Sequence, residues 1–145
     1  MYQAVTDMDL FYLAAGVLVA LTFIAHTFFG TKESLKAEPN DQQSTDCIDS
    51  ASKKQQYWIQ SVCAFQLVTV DLFIVCVILF VMGLTDVISF ESELAYCLAV
   101  YFFLWGIAWL VQLSFLRKSN EQYYLLGQWA IFFLISGVIL GGATS

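Results

Sequence analysis

One histidine, one proline and six basic residues are spread over 145 positions, and the four cysteines form no C-x-x-C pair. Each scarcity removes a class of function. Six Lys and Arg with no basic block cannot neutralise a phosphate backbone, so no nucleic acid is expected as a partner. A haem bundle takes two axial ligands, commonly His with His or Met. His26 is the only histidine, and Met1, Met8 and Met82 are expected toward the opposite side of a bilayer, so one chain supplies no second ligand. Pairing two His26 residues would need a dimer. A zinc or di-metal site also lacks donors. Membrane disulfide oxidoreductases use closely spaced cysteine pairs; Cys47, Cys63, Cys76 and Cys97 include none and read as packing residues. No cofactor and no metal are expected.

Charge is scarce too. Charged residues make up 12% of the chain, and hydrophobic residues 59%. A soluble domain has no means of hiding that much apolar surface. The apolar residues gather in long runs, at about 10–29, 57–84, 94–116 and 123–142. At about 1.5 Å per residue, some 20 residues cover the roughly 30 Å of a hydrocarbon core. The pattern predicts an all-α integral membrane four-helix bundle, with residues 1–145 as a single domain. The first run is expected to be a retained helix, because "MYQAVTDMD" before it has two aspartates and no basic residue.

Between the first two runs, residues 30–56 are polar and read as a cytoplasmic loop. A short helical extension through "TKESLKAE" is compatible with Pro39 as its end. Lys32, Lys36, Lys53 and Lys54 lie in this loop, and Arg117 and Lys118 lie between the third and fourth runs. Neither terminus nor "TDVISFESE" carries a basic residue. Basic residues of short loops stay cytoplasmic, so all six predict both termini outside, N-out/C-out.

That orientation assigns depth to the polar side chains inside the runs. His26, Gln66, Gln112 and Gln128 fall in the cytoplasmic half, and Asp71 near the midplane. An ionisable group there costs at least about 2.5–3.5 kcal/mol on insertion scales, so it is expected to face inward toward His26 or a glutamine. Two readings of this cluster compete. The first is that it handles a proton or small polar ligand from the cytoplasm. The alternative is a structural or accessory subunit of a larger membrane complex, with the polar residues clamping helices together. No nucleophile–base pair or metal constellation is legible, so the chain reads as a non-enzyme more than as an enzyme.

Packing positions are also legible. Gly137 and Gly141 repeat at four residues, as do Gly16 and Ala20, the small-x-x-x-small spacing that lets helices approach closely. It serves packing within the chain or a homodimer. Trp105 and Trp109 share a helix face and are expected to meet lipid or a partner protein. Tyr57, Trp58, Tyr96, Tyr123 and Tyr124 suit an interfacial belt.

The stretches "AHTFFGTKE" (Ala25 to Glu33) and "LLGQWAIFFLI" (Leu125 to Ile135) carry a family resemblance. The chain resembles a family of small uncharacterised bacterial proteins with four membrane helices. In that family the first helix ends in a His followed by a Gly-x-[KE]-like turn. The second opens with a polar segment, here Phe65, Gln66, Leu67, Val68, Thr69 and Val70, and the fourth with a Gln-Trp pair, here Gln128 and Trp129. The resemblance spans most of the chain outside the first loop. It implies a bacterial cytoplasmic (inner) membrane and no assigned reaction. Where the family often has a His, this chain has Gln66, which sets aside a two-histidine metal or haem role. Small multidrug exporters match only in size: their essential acid is in the first helix, and residues 10–29 contain no carboxylate.

Overall fold

The structure, a computed structural model, describes residues 9–39, 48–116 and 127–145. Every regular element among them is helical: α1 (Leu10–Ala25), a π-helical turn (His26–Gly30), α2 (Thr31–Lys36), α3 (Ile48–Leu84), α4 (Glu91–Leu116) and α5 (Gln128–Ala143). In hydrocarbon a helix satisfies its own backbone donors and acceptors, so apolar runs of this length settle as helices whatever their β-branched content.

The ends of the elements follow local chemistry. Asp9 Oδ1 accepts the Phe11 N–H at 2.8 Å and the Tyr12 N–H at 3.3 Å, capping α1. Glu91 and Glu93 stand in the first turn of α4, where negative charge opposes the partial positive charge of the helix start. At the far end of α3, Thr85 Oγ1 donates back to the Val81 carbonyl at 2.7 Å.

α1 does not stop where its apolar run thins. The backbone stays helical through Ala25 (φ −59°, ψ −45°), Gly30 (φ −67°, ψ −41°) and Thr31 (φ −61°, ψ −44°). Leu10–Lys36 is therefore one continuous 27-residue helical segment. It turns out of the helix at Ala37 (φ −79°, ψ 9°), two residues before Pro39. α3 likewise begins at Ile48, well before the apolar residues start near Tyr57. The polar stretch 30–56 thus holds helix at both ends, because nothing in "TKESLK" or "SKKQQYW" breaks a helix already under way. The expected start of the last helix, Tyr123, lies outside the described residues.

Among the described residues, three helical segments are long and apolar enough to cross a membrane: Leu10–Lys36, Lys53–Leu84 and Glu91–Phe115, of 27, 32 and 25 residues. α5 is apolar and shorter, at 16 residues. The chain is an all-α, multi-helix integral membrane protein.

Its residues divide into two compact units, Val19–Cys76 and Met1–Leu18 with Val77–Ser145. Tyr12, Ala15, Leu79, Met82, Ala95, Phe102, Ile135 and Ile139 are buried in the latter. α4 and α5 pack along their length. Between them, Ser136 Oγ donates to the Ala99 carbonyl at 2.7 Å, fully buried. Trp105 and Phe132 meet edge to face at 5.4 Å (86°), and Trp109 meets the same ring at 6.4 Å (71°). The two tryptophans share a face as their spacing predicts, and that face is half-buried against α5. Edge-to-face pairs are worth about 0.5–1.5 kcal/mol each, and lipid offers no such geometry.

Glycine sets the closest approaches in this unit. A Cβ on Gly83 would fall 2.8 Å from Leu13 Cγ and 3.0 Å from the Leu13 backbone nitrogen. One on Gly106 would fall 2.8 Å from the Phe133 ring. Hydrophobic burial does not drive helices together in lipid, so contacts of this kind carry the association.

Candidate functional site

The unit Val19–Cys76 holds three of the five polar residues singled out from the sequence: His26, Gln66 and Asp71. The α1–π–α2 segment runs antiparallel to α3 within it. Phe23 faces Phe73 (ring centroids 5.8 Å), His26 faces Phe65, and the Trp58 Nε1–H donates to the Ser34 carbonyl at 2.9 Å. Further along, Gln55 Nε2 donates to Glu38 Oε1 at 3.4 Å. Trp58 is therefore tied to α2 by its indole N–H.

His26 opens the π turn. Its ring stacks on Phe65, with centroids 3.7 Å apart and planes within 13°. Its Nε2 lies 3.1 Å from the Phe65 carbonyl oxygen. A carbonyl only accepts, so Nε2 bears the proton. Thr69 Oγ1 donates to the same oxygen at 3.3 Å. Gly30, one turn beyond His26, abuts the Phe65 ring so closely that any Cβ would collide with it. The π turn and the glycine together let His26 lie flat on that ring. Beside it, Thr27 Oγ1 is closed off and has no hydrogen-bond partner. Leaving such a group unsatisfied costs about 1–3 kcal/mol, and π turns are frequent where function imposes a cost of that kind.

Gln66 is exposed, and its Nε2 reaches Thr31 Oγ1 at 3.4 Å. Asp71 is half-buried and engaged within the chain. It lines a shallow, open depression of about 380 Å³ whose other lining residues are Leu67, Val68, Val70 and Ile74. On α3 the buried face carries Leu72, Val75 and Leu79, and the exposed one Leu67, Val70 and Ile74. Asp71 stands on the boundary between them, beside Leu67 and Ile74 at one-turn spacing.

Gln112 and Gln128 belong to the other unit, and both are exposed. Gln128 is the first residue of α5, after Gly127. Among the described residues, no three His, Cys, Asp or Glu side chains come together as a metal site. Cys63 and Cys97 are exposed, and Cys76 is half-buried; none of the three is in a disulfide.

The small residues divide in the same way. A Cβ on Gly16 would meet Leu79 Cβ and the Phe80 ring at an ordinary 3.5 Å, and Ala20 is half-buried. Gly141 approaches the Phe11 ring, with 3.0 Å from a built Cβ, whereas Gly137 has nothing within 4 Å. Sequence spacing overlooked Gly30, which has Ser34 four residues on, and Gly83 and Gly106, which have no small residue at four-residue spacing that would mark them. It also passed over Ser136 as a clamp; a lone serine in an apolar helix was the available signal.

Compared with protein-family models, with curated proteins and with solved structures, the chain matches none.

Proposed function

We propose that this chain is a structural or accessory subunit of a larger membrane complex, built as a four-helix bundle with N-out/C-out topology in a bacterial cytoplasmic (inner) membrane. The observation that carries this reading is where the polar side chains point. Gln66, Gln112 and Gln128 are exposed, and Asp71 borders an open apolar depression on α3. Polar groups on helix faces in hydrocarbon are stabilised by partners on neighbouring helices. Only 22%, 28% and 28% of the most apolar 18-residue window of each long segment is buried within the chain, which leaves ample helix surface for such neighbours.

The experiment is mild extraction from the native membrane followed by sizing and mass spectrometry. The expected result is a complex containing this chain and another membrane protein in fixed ratio. Recovery of this chain alone, as one copy or two, refutes the reading.

The π turn favours a second reading, in which His26 and Asp71 handle a proton or a small polar ligand. π turns gather at functional sites, and this one places an imidazole against a backbone carbonyl. Under that reading Asp71→Asn folds normally yet loses proton or ligand movement in vesicles. Under the subunit reading purified vesicles show no such movement at all.

A further inference from the structure

We infer that the depression beside Asp71 is a docking groove for one transmembrane helix of a partner protein, a helix with a lysine or arginine at the depth of Asp71. This rests on the reading of the chain as a subunit and names the surface and the partner's chemistry.

The surface has the form of a helix-docking face. Leu67, Val70 and Ile74 follow the i, i+3, i+7 spacing and are 71%, 55% and 49% exposed. They make a stripe about 10 Å long on α3. The depression opens along this stripe, and a shallow trough suits the ridge of a crossing helix. A small-molecule site would enclose most of its ligand, and this one does not.

The chemistry of the lining selects the occupant. Asp71 is the one ionisable group among the five lining residues; the rest are hydrocarbon. Asp71 lies 13 residues from Leu84, the end of α3, or about 20 Å into the helix. Acids at such depth pair with cations or strong donors. Asp71 already has an interaction within the chain, and a carboxylate's two oxygens accept several hydrogen bonds, so an arriving cation adds to that contact.

A second copy does not supply the cation. The chain's Lys and Arg residues are at 32, 36, 53, 54, 117 and 118, and none lies within the apolar runs. Lys54, the nearest along α3, is 17 residues from Asp71, or about 25 Å. Its side chain cannot span that distance. Two copies meeting symmetrically along this stripe would set carboxyl against carboxyl. Charge complementarity therefore favours a different chain.

The test uses the 145-residue chain in phosphatidylcholine vesicles, with its native cysteines replaced and a fluorescent donor on Ser145→Cys. The probes are three acceptor-labelled Leu/Ala helices of roughly 20 residues, flanked by tryptophan, with Lys, Leu or Glu at the centre. The Lys helix is expected to associate about tenfold more tightly than the Leu helix, the size of a good polar contact in a membrane. Asp71→Leu should remove that preference. Leu67→Trp, which keeps the acid and fills the groove, should weaken it. Thermal melts check that each variant folds. Equal binding of the Lys and Leu helices overturns the inference, as does a preference that survives Asp71→Leu. Energy transfer between copies of the chain that Leu67→Trp abolishes assigns the groove to a second copy and also overturns it. If the native complex persists in Asp71→Leu cells while no Lys preference is seen, the groove assignment fails and the subunit reading stands. If the Lys preference is clear and the chain is extracted alone from native membrane, the subunit reading fails instead.

Discussion

Replacing three glycines by alanine, one at a time, should move stability in different directions, although the chemical change is the same. In a helix interior, Gly→Ala gains up to about 1 kcal/mol from reduced backbone freedom. What opposes the gain is the space around the new methyl. At Gly137 nothing lies within 4 Å, so the full gain is expected. At Gly106 the methyl falls 2.8, 2.9 and 3.0 Å from three atoms of the Phe133 ring. A side-chain ring can tilt away, and the net change should be near zero. At Gly83 the methyl falls 2.8 and 2.9 Å from Leu13 side-chain atoms and 3.0 Å from the Leu13 backbone nitrogen. Backbone does not swing aside, so α1 and α3 must separate. Overpacking costs about 1–3 kcal/mol, which outweighs the helical gain. Gly83→Ala should thus be destabilised by about 1 kcal/mol, and should lie about 2 kcal/mol below Gly137→Ala. Reversible unfolding in mixed micelles, followed by tryptophan fluorescence, measures the series. A Gly83→Ala protein as stable as Gly137→Ala would refute the argument that backbone proximity decides the sign.

Ser136→Ala removes the buried bond to the Ala99 carbonyl and should cost about 0.6–1.7 kcal/mol in the same unfolding assay. His26→Phe keeps a ring to stack on Phe65 and loses the Nε2–H bond, whereas His26→Leu loses both. The leucine variant should be the less stable, by about 0.5–1.5 kcal/mol, and equal melts would show that the stack contributes nothing. Trp58→Phe deletes the donor to the Ser34 carbonyl, so limited proteolysis should cut sooner near α2 than in the parent. For orientation, a cysteine at Ser145 in a cysteine-free background should react with an impermeant thiol reagent from outside, and one at Lys32 only after permeabilisation. The reverse pattern would overturn N-out/C-out.

The sequence alone determined that the chain is helical and lives in a membrane. That follows from composition and run length, because 59% hydrophobic residues in runs near 20 admit no other solvent and no open-edged backbone. It also showed which polar residues stand out, since His26, Gln66 and Asp71 contrast with their neighbours. Where helices end was only partly legible. α2 and the first turns of α3 are polar, and hydropathy does not register a helix that continues past the apolar stretch. Tertiary structure decided what each residue touches. Helical periodicity specifies a face, yet not what lies opposite it. Gly137 and Gly141 share a face by spacing, while only Gly141 meets a ring close by. Trp105 and Trp109 share a face by spacing, and only the packing shows that both meet the Phe132 ring of α5. Asp71 sits at the edge of the buried face of α3 because Leu72, Val75 and Leu79 mark that face, a choice made by packing against other helices and by nothing local to the aspartate.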